Sequence, residues 1–152
     1  KSPAIFDTAK LTWMNGEYIK NMDEEKYLSL LQRAMPAIAL PSFTALNTAF
    51  CNDVEPELVF AQCLMGLGKK DDILLCISTS GNSKNVVAAA LTAKALGLKT
   101  IGLTGKTGGK LKSICDICIC VPETDTFKLQ ELHLPVYHYL CARVEEEIFI
   151  GG

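Results

Sequence analysis

The sequence predicts an α/β domain: a parallel sheet with helices on both faces. Two observations carry this. From about residue 35 onward, short continuously apolar runs alternate with segments of helical pattern. Strands that are apolar at every position, rather than at every second one, are those buried on both faces between helical layers. The bulk properties agree, because 152 residues with 49% hydrophobic content are enough for one domain with a real core.

Taken in order, residues 36–40 (Pro-Ala-Ile-Ala-Leu) read as a short buried strand, followed by a polar stretch through Ser42, Thr44 and Asn47. Asn52-Asp53-Val-Glu-Pro56 carries acidic residues and a proline, a helix-start signal. Residues 58–67 are helical in pattern and end among Gly66 and Gly68; Lys69-Lys70-Asp71-Asp72 is a solvated turn. A second strand covers 73–77. The following helix, 85–96, is closed by Gly97. Residues 99–104 form a third strand, 110–114 a helical turn and 117–121 a fourth strand. The last helix runs from about 129 to 148.

Composition excludes several classes of function. The net charge of −2 leaves no basic face for nucleic acid and no polybasic membrane anchor. No apolar run approaches the ~18 residues of a membrane span, and the opening Lys-Ser-Pro-Ala-Ile-Phe-Asp shows no signal-peptide pattern. Seven cysteines, mostly inside apolar runs, suit a reducing cytoplasm in which Cys serves as a small buried hydrophobe. Cys115-x-x-Cys118 has no second pair at zinc spacing, so packing is its expected role.

The most informative stretch is Ser78-Thr-Ser-Gly-Asn-Ser83, where the 73–77 strand meets the 85–96 helix. Such a turn gathers free backbone N–H groups and the positive end of a helix dipole, an arrangement suited to an anion. Ser78, Thr79, Ser80 and Ser83 supply hydroxyl donors, and Gly81 permits close backbone approach. Neither Walker spacing nor G-x-G-x-x-G is present, so no nucleotide cofactor is expected. A phosphate on a small molecule is the better ligand. In parallel α/β sheets ligands bind outside the carboxyl ends of strands, where residues 78–83 and Thr104-Gly-Lys-Thr-Gly-Gly109 both fall.

In the last helix, Leu132, Val136, Leu140 and Val144 recur at helical spacing and mark a core face. Glu131 and His138 are candidates for proton transfer, His because its unperturbed pKa lies near neutrality. His133 reads equally well as an interface histidine.

Together, Pro36-Ala-Ile-Ala-Leu40, Asn52-Asp53, the 71–83 block, Thr100-Ile-Gly-Leu-Thr-Gly105 with Gly108-Gly109-Lys110-Leu111, Val121-Pro122 and Gln130-Glu131-x-His133 resemble the SIS (sugar isomerase) domain family, and within it the phosphoheptose isomerases. These interconvert sedoheptulose 7-phosphate and a heptose 7-phosphate. The resemblance covers about residues 27–149, and it implies a three-layer doubly wound sheet of flavodoxin-like, Rossmann type. It implies that Ser78, Thr79, Ser80 and Ser83 hold the sugar phosphate, with Asn82 shaping the turn, and that Asp53 lies in the site beside His138 and Glu131. Gln130 and His138 correspond to metal ligands, which makes zinc the implied cofactor. On an ideal helix these two would stand ~80° and ~12 Å apart, so Pro135 must kink the segment or two subunits must share the site. A homodimer or homotetramer is implied as well.

The family's first strand, its Gly-Asn-Gly-Gly-Ser loop and the following helix with a His and a Glu are not found in this sequence, so part of the zinc ligand set is missing from it. That strand lies mid-sheet between the counterparts of 36–40 and 73–77, and without it both lose a neighbour. Residues 1–24 could substitute, the two strands could pair directly, or a second chain could fill the gap. The expected division is an N-terminal segment, 1–26, and a SIS domain, 27–152. Within the first, Phe6-Asp7-x-x-Lys10-Leu11-x-Trp13-Met14-Asn15-Gly16-x-Tyr18-Ile19 is similar to a short segment of glutamyl-tRNA synthetases beyond their catalytic core. No aminoacylation follows from it.

Overall fold

A computed structural model describes residues 37–149 of the chain. The expected boundary at 26/27 and the synthetase-like segment lie outside these residues. The chain divides into two compact units. One is Ile38–Cys141. The other, Lys1–Ala37 with Ala142–Gly152, is described only at Ala37 and over 142–149.

The larger unit holds a three-stranded parallel sheet in the order β1-β2-β3 among the described residues. The strands are β1 (Ile73–Ser78), β2 (Lys99–Thr104) and β3 (Ile117–Cys120), with Cys76, Gly102 and Cys118 side by side in register. The described residues form five α-helices, α1 (Thr44–Asp53), α2 (Val59–Leu67), α3 (Lys84–Leu96), α4 (Leu111–Ile114) and α5 (Thr126–Phe149), the last extending past Cys141. Every parallel pair is joined through a helix, as parallel connections require. The expected strands at 73–77, 99–104 and 117–121 and the helices after 58 and 85 are all present.

Local chemistry accounts for the boundaries. Gly97, at φ 79°, ends α3 in the left-handed conformation, and its N–H bonds back to Ala93 and Lys94 carbonyls. Asp72 Oδ2 accepts from the Lys69 amide at 2.9 Å and closes the turn before β1. Helix α5 starts three residues before the expected position. There the Glu123 carboxylate collects the amides of Thr124 and Asp125, and the Asp125 carbonyl accepts from Leu129 N.

One expectation needs correction. The chain at 37–40 is no strand: residues 37–39 are irregular and exposed, and Leu40–Ser42 is a 3₁₀ turn. Pro41 favours the first turn of a helix, while Ser42 bonds the Ala39 carbonyl through its amide at 3.0 Å and its hydroxyl at 2.6 Å, curling the chain away from an extended path. The polar stretch that follows, to which the sequence reading assigned no element, is the helix α1. Thr48 returns its hydroxyl to the Thr44 carbonyl, and Asn47 Nδ2 caps the Pro41 carbonyl at 2.8 Å. Residues 37–40 therefore do not pair directly with β1.

Two core clusters lie on the α3 face of the sheet, while Leu103, register partner of Ile77, is fully buried on the other. Leu74 and Cys76 point toward α3, where Ala90, Ala93, Leu64, Leu98 and Leu111 are buried. Gly102 makes room for sulfur: a Cβ there would sit 3.1 Å from Cys118 Sγ and 3.3 Å from Cys115 Sγ. Burial and neighbouring thiols push the Cys76 thiol up to about 12. On the opposite face of β1, Ile73, Leu75 and Ile77 remain 64%, 40% and 48% exposed.

Candidate functional site: the hydroxyl loop at the head of α3

Loop 78–83 leaves the carboxyl end of β1 and opens directly into α3, thirteen residues long. Its shape is set by its own bonds. Gly81 N donates to the Ser78 carbonyl at 3.1 Å, and Asn82 N donates to Ser80 Oγ at 3.1 Å. The Asn82 amide group returns to the Ser80 carbonyl through Nδ2 and accepts the Lys110 amide through Oδ1, both at 3.0 Å. Both polar ends of Asn82 are thus committed to the turn, in keeping with the shaping role the resemblance implies.

The loop at 105–110 is pressed against it. Gly105 N donates to the Thr79 carbonyl and Leu111 N to the Gly81 carbonyl. Gly81 adopts φ 65° and Gly109 φ 52°, and a Cβ on either would collide with the backbone of the other loop. Only glycine meets both demands, positive φ and backbone-on-backbone contact. The two loops therefore share one end of the sheet, as expected of 78–83 and 104–109.

The donors left over define the chemistry. Ser78 and Ser83 Oγ atoms are 2.9 Å apart, so one of the two protons is engaged and the other is free. Ser80 Oγ accepts from Asn82 N and keeps its own proton for an outside acceptor. The first-turn amides of Lys84 and Asn85 have no carbonyl four residues back within the helix. Ser78 is buried, Thr79 half-buried, and Ser80, Asn82 and Ser83 are exposed. Hydroxyl and amide donors thus converge at the positive end of a helix dipole, the arrangement an oxyanion requires.

Beside this head of α3 lies a groove of about 270 Å³ lined by Pro56, Glu57, Lys84 and Asn85. Lys84 Nζ pairs with Glu57 Oε1 at 2.6 Å across it, and the Glu57 carboxylate holds the Lys84 ammonium above its ordinary range. Sequence reasoning passed over both residues. The signal available to it was a lysine in the first turn of a helix that lacks any first-turn acid, a position that normally favours Asp or Glu.

The remaining nominated residues stand apart from the loop in character. Gln130, Glu131 and His138 are at least partly exposed on α5, and Asp53 is exposed at the end of α1. His133 is the buried one, 3% exposed, with Nε2 3.2 Å from the Thr104 carbonyl, so it anchors α5 to the end of β2. Tyr137 packs edge-on against the His138 ring. Pro135 sits inside α5, which continues through it. Among the described residues no group of three His, Cys, Asp or Glu side chains is placed to hold a metal ion. Gln130 and His138, eight positions apart on one helix, do not complete a zinc site by themselves.

Comparison with known proteins agrees with this fold. The family model described as SIS domain matches residues 30–105. The phosphoheptose isomerase of a Nitratiruptor species is 49% identical over 115 residues, 76% of this chain and 62% of that protein. That of Helicobacter pylori (strain P12) is 46% identical over 116 residues, 76% and 60%. Among solved structures, a phosphoheptose isomerase from Francisella tularensis superposes with a TM-score of 0.70 at 39% identity, covering 73% of this chain and 60% of its own. One from Neisseria gonorrhoeae superposes with a TM-score of 0.72 at 32% identity, covering 81% and 68%. The chain spans about three fifths of the length of the curated relatives it matches, 62% and 60% for these two. It belongs to the SIS domain family.

Proposed function

We propose that this chain binds a phosphorylated sugar through loop 78–83 and takes part in a phosphoheptose isomerase-like aldose–ketose interconversion of sedoheptulose 7-phosphate. One observation carries the reading: the hydroxyls of Thr79, Ser80 and the Ser78–Ser83 pair gather at the head of α3, where amides and dipole favour a phosphate. The relatives' names point to the same substrate class.

The reaction moves a proton between C1 and C2 through an enediolate, which calls for a base within reach of both carbons. In this reading His138 and Glu131 take that role, with Asp53 among the groups facing the sugar. The zinc ion of the family would need ligands beyond Gln130 and His138, and the described residues do not form a complete set. A reducing cytoplasm suits the seven free cysteines, and the homo-oligomer rests on the family resemblance.

A second reading keeps the phosphosugar and drops the turnover. The exposure of Gln130 and Glu131 on α5, together with the missing third metal ligand among the described residues, favours a binding module. Calorimetry with sedoheptulose 7-phosphate, followed by an assay for product in the presence of zinc, separates the two. Replacing Ser80 and Ser83 together by Ala is expected to weaken binding by ~1–3 kcal/mol. Unchanged affinity would remove the loop from the site.

A further inference from the structure

We propose that Lys84 is a phosphate-binding residue held in reserve by Glu57, so that the anion takes the lysine over from the carboxylate when it binds. The inference rests on the phosphosugar reading of loop 78–83 and adds to it the charge that the loop lacks. Every donor of that loop is a neutral hydroxyl or amide, whereas a sugar phosphate near neutral pH carries close to two negative charges.

Lys84 follows Ser83 directly and is the first residue of α3. Side chains of a helix lean toward its N-terminus, the end at which the loop enters α3. Its position opposes the helix dipole, which favours anions in the first turn. A cation that the local electrostatics disfavour needs a partner, and Glu57 supplies one at 2.6 Å from the turn preceding α2. The pair is open to solvent, with the lysine and glutamate side chains 73% and 47% exposed, so exchange of partner requires no unpacking. Pro56 and Asn85 complete the groove around it. A dianion at the head of α3 reverses the electrostatics: Lys84 then faces a stronger acceptor than a single carboxylate, and charge-assisted bonds to phosphate are among the strong ones. Glu57 is left free on the groove wall, facing solvent or a sugar hydroxyl.

The two substitutions separate this from a merely structural strap. If the pair only ties the turn before α2 to α3, Lys84→Gln and Glu57→Gln remove the same bond and act alike. If Glu57 competes with the ligand, they act in opposite directions. Titrating sedoheptulose 7-phosphate, with inorganic phosphate as the minimal probe, is expected to show Lys84→Gln binding about tenfold more weakly and Glu57→Gln about threefold more tightly. Lys84→Arg should restore most of the affinity. Thermal melts of each variant confirm that the fold is retained. Weakening by both variants, or silence from Lys84→Gln, overturns the proposal. The Ser80→Ala, Ser83→Ala chain is the control for the underlying reading. If it loses affinity while Lys84→Gln does not, this inference alone fails; if it binds normally, the loop reading fails and takes the inference with it.

Discussion

The loop after β1 and the helix α5 both carry residues nominated for function, yet they are built in opposite ways. The loop is over-determined: its carbonyls and amides bond within a few residues or to the loop at 105–110, and glycines seal the contact. Helix α5 is fixed by a few burial points, Leu129 and His133 among them, while Gln130, Glu131 and His138 are exposed. A cluster of hydroxyl and backbone donors of the kind loop 78–83 presents can be assembled within one short stretch of chain. A proton-transfer and metal centre needs groups from separate elements brought to a few ångströms, and one helix cannot supply that.

This contrast can be broken by experiment. Its strongest test is Gly81→Ala, which puts a Cβ at φ 65° against the backbone of Gly108. The left-handed strain and the overlap together are expected to cost about 2–5 kcal/mol in denaturant unfolding; a change below about 1 kcal/mol would mean the two loops are not locked together. Next, His133→Ala removes a buried ring and its bond to the Thr104 carbonyl. A loss of about 2–4 kcal/mol is expected, with α5 loosened at the end of β2. By contrast, replacing Gln130 and His138 together by Ala should change stability by no more than about 0.5 kcal/mol. A larger loss would show that these side chains are structural and not available for chemistry.

Titration sharpens the comparison at lower amplitude. Thr100 donates its amide and its hydroxyl to Asp116 Oδ2, at 2.8 and 2.9 Å, holding that carboxyl below its usual range. A depressed native pKa contributes stability that is present above the unfolded value of about 3.9 and lost as pH falls through the native one. Acid unfolding followed by circular dichroism should therefore be less steep in Asp116→Asn than in the parent chain. At the other extreme, the Cys76 thiol raised to about 12 contributes stability that is lost as pH climbs from about 8.5 toward that value. Native alkylation should mark exposed Cys141 and spare Cys76 until the chain unfolds; rapid labelling of Cys76 would contradict the packing around Gly102.

Much of the fold was legible because local signals were strong. The runs at 73–77 and 99–104, Gly97 and the Asp72 turn each carry their own cause, and the strands lie where the pattern put them. The loop at 78–83 was legible for the same reason. The run at 36–40 misled because apolar composition alone does not make a strand: the ladder partner must exist, and Pro41 with Ser42 turns the chain instead. Lys84 and Glu57 were missed because they lie far apart along the chain, and only the packing of the turn at Pro56–Leu58 against α3 brings them to 2.6 Å.

By itself, the sequence determined the three strands and the helices that join them, the hydroxyl-rich turn between β1 and α3 and the reduced, free state expected of the cysteines, since each follows from neighbours along the chain. Tertiary structure alone decided which histidine is buried, which face of β1 is covered and which carboxylate meets Lys84. Those outcomes depend on contacts between residues distant in sequence, and no periodicity or spacing encodes the distances between elements that burial and ion pairing require.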